Sequence, residues 1–102
     1  MVLYAPHVYT DPVRIALLET LLGELPGQAR VLLVLQDGSR VAGMVTMRPV
    51  LQQYFDCEEH IGVNGTVRLD DLRRISQQHL IWLDSVRQVL RLPVLELAEE
   101  QA

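Results

Sequence analysis

The stretch Val31-Leu-Leu-Val-Leu-Gln-Asp37-Gly38-Ser-Arg-Val-Ala-Gly-Met-Val45 constrains the fold of this chain more than any other. An Asp-Gly pair between two apolar runs is a hairpin signal, because the tight primed turn needs positive φ at its centre. The pattern predicts two antiparallel strands, over residues 29–36 and 40–47. The first run is apolar on both faces and suits a strand covered on both sides. Gly43 stands in the middle of the second, where it shares a face with Val41, Val45 and Met47. A strand glycine weakens pairing unless the strand must bend there. A sharply bent second strand is therefore expected, of the kind that curls a small sheet into a barrel.

Residues 1–9 read as an extended lead-in. Thr10 or Asp11 then caps a helix, with Pro12 in its first turn. Ile15, Leu18, Leu22 and Leu25 recur at helical spacing, and Leu17 and Leu21 widen the stripe. Gly23 is a candidate C-cap and Pro26-Gly27 ends the segment, which gives a helix over about 11–23. Pro49 breaks the second strand, and residues 49–65 read as an irregular connection, with or without a short strand extension. Thr66–Asp70 alternates as a third strand. His79–Leu83 is a fourth, Asp84-Ser85 a bend, and Val86–Leu92 a fifth strand stopped by Pro93. The acidic tail, 93–102, reads as a turn or short helix. The expected class is mainly β with one N-terminal α-helix. It forms a single domain over 1–102, with a small five-stranded antiparallel barrel at about 29–92.

The chain has 102 residues, of which 49% are hydrophobic, enough to close one core. No apolar run approaches the ~20 residues of a membrane span. The N-terminus lacks the pattern of a secretory signal, and one cysteine fits a reducing compartment, so a cytoplasmic location is expected. The net charge of −4 argues against a generic polybasic nucleic-acid binder. All nine basic residues are arginine, the residue suited to planar and bidentate contacts.

Asp56-Cys57-Glu58-Glu59-His60 gathers a thiol, an imidazole and three carboxylates. Cys57 and His60 could share a metal, but a structural site needs about four ligands and the chain has no second Cys/His pair. The segment reads as a solvated acidic loop, and no metal, cofactor or catalytic residue is expected. Tyr54 and Phe55, flanked by polar residues, read as an exposed aromatic pair. Arg68 alternates with apolar neighbours and points outward. Arg87 and Arg91 share a face of the fifth strand with Val89, either as a basic patch or as edge protection. Trp82, Val89 and Leu90 are candidate interface residues in the two final strands.

The stretch 31–45 resembles the first motif of the Sm-like proteins, with its alternating apolar residues, Asp-Gly turn and glycine in the bent second strand. Val67-Arg-Leu-Asp-Asp-Leu72 resembles the end of that motif. Ile81-Trp-Leu-Asp-Ser-Val-Arg-Gln-Val89 is similar in apolar spacing to the second motif. The helix order and the Trp82-Leu83-Asp84 stretch are also similar to a small bacterial family of unknown function with a variant Sm-like barrel. The resemblance implies a non-enzymatic Sm-like or SH3-like barrel that self-associates through its sheet edges and contacts single-stranded RNA. Asn64 would occupy the base-binding asparagine position, with Tyr54, Phe55 and Arg68 as further RNA contacts. Trp82-Leu83 stands where the family carries Arg-Gly. The alternative is a protein-interaction or assembly module without nucleic-acid binding.

Overall fold

The computed structural model describes residues 3–74 and 76–93. Helix α1 spans Pro12–Glu24 and is capped by Asp11, whose side chain accepts the Val13 N–H at 3.2 Å. Gly23 stays helical. The C-cap is Leu25, fully buried, with its N–H donating to the Leu22 carbonyl. Burying that leucine outweighs the usual preference for a glycine terminus. Only Leu18 of the helix is buried, while Val13 and Leu17 are exposed.

Strands β1 (Arg30–Leu35) and β2 (Arg40–Val45) form the expected hairpin, in register Arg30↔Met44 through Val34↔Arg40. The turn differs from the primed type. Gly38 alone has positive φ, at 88°, and its N–H returns to the Leu35 carbonyl. Asp37 accepts the Ser39 N–H at 2.9 Å instead of taking a left-handed conformation itself. This is the longer hairpin, a turn closed by one left-handed glycine.

The remaining strands are β3 (Gln52–Phe55), β4 (Ile61–Asn64), β5 (Thr66–Asp71), β6 (Gln78–Trp82) and β7 (Val86–Arg91). The turn Leu83–Ser85 is a single 3₁₀ turn at the expected bend. The main sheet is five-stranded and antiparallel, in the order β6-β5-β2-β1-β7. Strands β3 and β4 form a separate two-stranded ribbon. The expected five-stranded barrel is therefore corrected: the sheet is open, with β6 and β7 at its edges, and residues 49–65, expected as a largely irregular connection, carry two full strands of their own. The acidic tail beyond Pro93 lies outside the described residues.

The core combines Leu18 and Leu25 with Val31, Leu33, Val45, Val67, Leu69, Ile81, Leu83 and Val86 from the strands. Gly43 owes its place to close approach. A Cβ there would lie 2.7 Å from both the Asp70 carbonyl oxygen and the Leu69 Cβ. Met47, expected to continue the Gly43 face, falls beyond β2 and is exposed. On β7 the register shifts opposite Val34/Leu35, pairing Leu35 with Val86 and Val34 with Gln88. Arg87 is the unpaired bulge residue. Val86 and Val89, three apart, both reach the core, so Arg87 and Val89 do not share a face.

The lead-in closes both edges of the ribbon. Ala5 N–H donates to the Phe55 carbonyl at 2.9 Å, and Phe55 N–H donates to the Leu3 carbonyl at 2.8 Å. On the other edge, Tyr9 and Val63 exchange both backbone hydrogen bonds. The strap passes Gly62 so closely that a Cβ there would lie 2.8 Å from the Tyr9 nitrogen and 2.9 Å from the Val8 Cβ.

Candidate functional site

Residues of one parity on β5 and β6 face the core, namely Val67, Leu69 and Ile81. The other parity, Thr66, Arg68, Leu80 and Trp82, lies on the outer face, paired Thr66↔Trp82 and Arg68↔Leu80. The connection from β2 to β3 rises beside this face and brings Arg48 to it. Together they bound a groove of about 400 Å³, lined by Arg48 and Arg68, by Gln52 and Gln78, and by Tyr54 and Leu80 among others. Among the described residues no carboxylate lines it. Thr46 fixes the floor: its backbone N–H and its hydroxyl both donate to the Arg68 carbonyl, at 3.1 and 3.2 Å.

The expected RNA contacts do not converge here as a set. Arg68 is exposed in the groove, as its alternation implied. Asn64 is fully buried. Its Nδ2 donates to the His7 carbonyl at 2.8 Å and its Oδ1 accepts the Gly65 N–H at 2.8 Å. That amide ties the strap to the ribbon and offers no exposed group to a base. Tyr54 and Phe55 are not an exposed pair, because neighbours in a strand point to opposite faces. The Tyr54 ring is buried edge-on against Trp82, with centroids 5.2 Å apart and planes at 75°. Phe55 is half-buried on the other side, 6.1 Å from Tyr4. Trp82 thus joins ribbon to sheet. Of the interface candidates, Val89 packs on the core and Leu90 is exposed on the β7 edge. Sequence reasoning missed Arg48 and Leu80. Arg48 lies in a connection without period, and Leu80 reads as one more apolar strand residue.

Two other polar clusters are turn-builders. Asp56 Oδ1 accepts the N–H groups of Glu58 and His60, both at 2.9 Å, and Oδ2 lies 3.0 Å from His60 Nδ1. The backbone bond from His60 chiefly holds the Asp56 carboxyl below its ordinary range, and the Asp56 contact raises His60. Asp56, Glu58 and His60 offer ligand atoms within 4.8 Å of one another, while Cys57 is exposed and outside that cluster. At the turn from β5 to β6, Asp71 Oδ1 lies 3.0 Å from His79 Nε2, and Oδ2 accepts the N–H groups of Arg73 and Arg74. The His79 contact first, then those two N–H groups, lower Asp71 to about 2. Near α1, the Tyr9 hydroxyl donates to Asp84 Oδ2 at 2.8 Å, and burial, then that bond, push its pKa up to about 12.

The sequence matches the profile described as "Domain of unknown function (DUF3247)" over residues 3–92, which takes in the strap, the helix and every strand. The chain belongs to the DUF3247 family. A solved structure similar to this DUF3247 domain is that of XC5848 from Xanthomonas campestris, described as adopting a novel variant of the Sm-like motif. The two share 44% sequence identity and superpose with a TM-score of 0.86, over 91% of this chain and all of that one. Comparison with curated proteins gave no significant match. The expected resemblance to a variant Sm-like fold of unknown function is borne out. No helix among the described residues is long and apolar enough to cross a membrane.

Proposed function

We propose that this DUF3247 domain acts without catalysis, as an assembly module whose copies join through the two open edges of the main sheet. The observation that carries this reading is the strand order. β6 and β7 end a five-stranded antiparallel sheet, each with one row of backbone groups that no strand of the sheet pairs. Such edges template pairing with another chain. Each carries an outward leucine, Leu80 at 63% and Leu90 at 41% exposure. Sm-like proteins, which the fold resembles, cover such edges by pairing them between subunits. Arg87, Arg91 and Pro93 oppose pairing by charge and by a missing donor. The bulge at Arg87 leaves the Gln88–Arg91 stretch regular. Sedimentation at micromolar concentrations tests the reading. A mass that is a multiple of 11.6 kDa is expected, and a monomer throughout overturns it.

A second reading, contact with single-stranded RNA, is supported by Arg48 and Arg68 in a groove whose lining, among the described residues, holds no carboxylate. Phosphate contacts predict binding of a short oligonucleotide that falls steeply as salt rises. Absence of binding at low salt overturns it.

A further inference from the structure

One flank of helix α1 is only partly covered. Leu18 packs into the core, whereas Leu17 is 59% exposed. Arg14, Leu17, Leu21 and Glu24 fall within about 80° of one another around the helix. They form one wall of a groove of about 300 Å³, whose other wall includes Asp84 and Arg87. Among the described residues neither Arg14 nor Glu24 forms an ion pair. The Arg14 guanidinium lies over the Tyr9 ring, 5.6 Å from its centroid. Both charges also stand at the unfavourable ends of their own helix. Arg14 is in the first turn, where the helix dipole favours an acid, and Glu24 is the last residue, where it favours a base. Beyond the Asp11 cap, the first turn has no acid and the last turn no base.

We propose that this flank binds the same flank of a second copy, with the two helices antiparallel about a two-fold axis level with Glu19. Leu17 and Leu21 are symmetric about that position, and so are Arg14 and Glu24. The pairing therefore sets Leu17 opposite the partner's Leu21 and Arg14 opposite the partner's Glu24, each contact made twice. A pattern that complements itself when reversed selects a second copy over an unrelated partner. Each Arg14 then lies at the C-terminus of the facing helix and each Glu24 at its N-terminus, which supplies the charges that both ends lack. Glu19 itself, about 200° around the helix from Leu17, faces away, so like charges do not meet on the axis. The groove lining holds two arginines and two acids, a balance that fits a copy of itself and not the phosphates of RNA. The contact uses neither β6 nor the Gln88–Arg91 stretch of β7, so it goes beyond assembly through the edges and would tie one edge-built assembly to another. A helix of 13 residues, about 20 Å long and ~10 Å wide, falls short of the ~800 Å² per partner of a stable interface. The contact is therefore weak and forms near ~1 mM, not at micromolar concentration.

Sedimentation equilibrium of the full chain carrying Leu80→Lys and Leu90→Lys tests the proposal with both edges blocked. Its mass should rise from 11.6 kDa at micromolar concentration towards twice that value at about 1 mM. In the same background Arg14→Glu and Glu24→Arg, both at exposed positions, should each stay near 11.6 kDa, because like charges then face each other across the axis. Mixed in equal amounts the two should regain the dimer, because each carries the charges that the other lacks. Should a reversal fail to fold, the amide NMR spectrum of the edge-blocked chain is the second measurement. Raising its concentration to ~1 mM should shift the signals of Arg14, Leu17, Leu21 and Glu24. An edge-blocked chain that stays monomeric overturns the proposal, and so do single reversals that dimerise as it does, a mixture that gains no mass, or shifts confined to other residues. None of these outcomes bears on assembly through the edges, which the two lysines have already removed.

Discussion

Gly43 and Gly23 carry the same side chain for different reasons, and substitution separates them. At Gly43 a Cβ would meet the Asp70 carbonyl and Leu69 at 2.7 Å, both in the packed β5 strand. Gly43→Val should therefore destabilise despite valine's better strand propensity. Overpacking costs about 1–3 kcal/mol, which in a domain of this size lowers Tm by roughly 5–15 °C. An unchanged or higher Tm would show that β5 can yield. At Gly23 a Cβ meets nothing within 4 Å and the backbone is helical. Gly23→Ala should raise stability by roughly 0.5–1 kcal/mol, read from chemical denaturation. Gly43 was legible in the sequence because a glycine inside an apolar strand demands a reason. Asn64 was not. Its burial depends on the strap returning over the ribbon, a contact 57 residues away along the chain. Replacing it by Leu leaves the His7 carbonyl and the Gly65 N–H without their partner, and each loss costs about 1–3 kcal/mol. A melt of Asn64→Leu as stable as the parent would mean that water replaces the amide.

Among the elements, those with strong local signals appear close to where the sequence placed them. These are the capped helix, the Asp-Gly hairpin, and the strands at 66–71, 78–82 and 86–91. The β3–β4 ribbon was illegible because its two strands are four residues each, β3 half polar and β4 interrupted by a glycine, and both edges are completed by the lead-in. No local period can announce pairing of that kind. The turn from β5 to β6 depends on one carboxylate, and acid titration should reveal it. Asp71 has its folded pKa lowered from 3.8 to about 2, chiefly by His79. A depressed folded value means that its contribution is full above 3.8. It is lost as pH falls towards about 2, because the unfolded chain takes up the proton first. Asp71→Asn should thus be less stable than the parent at neutral pH, and the gap should narrow across that window. Urea titrations at several pH values measure it. A gap independent of pH would place the stabilisation in the turn's backbone and not in the charge.

For the whole molecule, the decisive property is an open sheet whose two edge strands, unpaired on one side among the described residues, differ. A contact between β6 of one copy and β7 of the next is head-to-tail, whereas pairing of two β7 edges would be two-fold symmetric. Lysines on edge strands block pairing, and Leu80 and Leu90 are the exposed apolar residues of the two edges. Under head-to-tail pairing, Leu80→Lys and Leu90→Lys should each sediment as monomers of about 11.6 kDa when alone. Mixed in equal amounts they should form a dimer and stop there. The intact β7 of the Leu80→Lys chain meets the intact β6 of the Leu90→Lys chain, and the edges left over are both blocked. Two-fold pairing through β7 gives another pattern, because Leu80→Lys alone would still dimerise and the mixture would add nothing. Pairing through two β6 edges reverses the roles of the variants. If neither substitution changes the mass of an oligomeric parent, the copies meet through another surface and the edge argument fails.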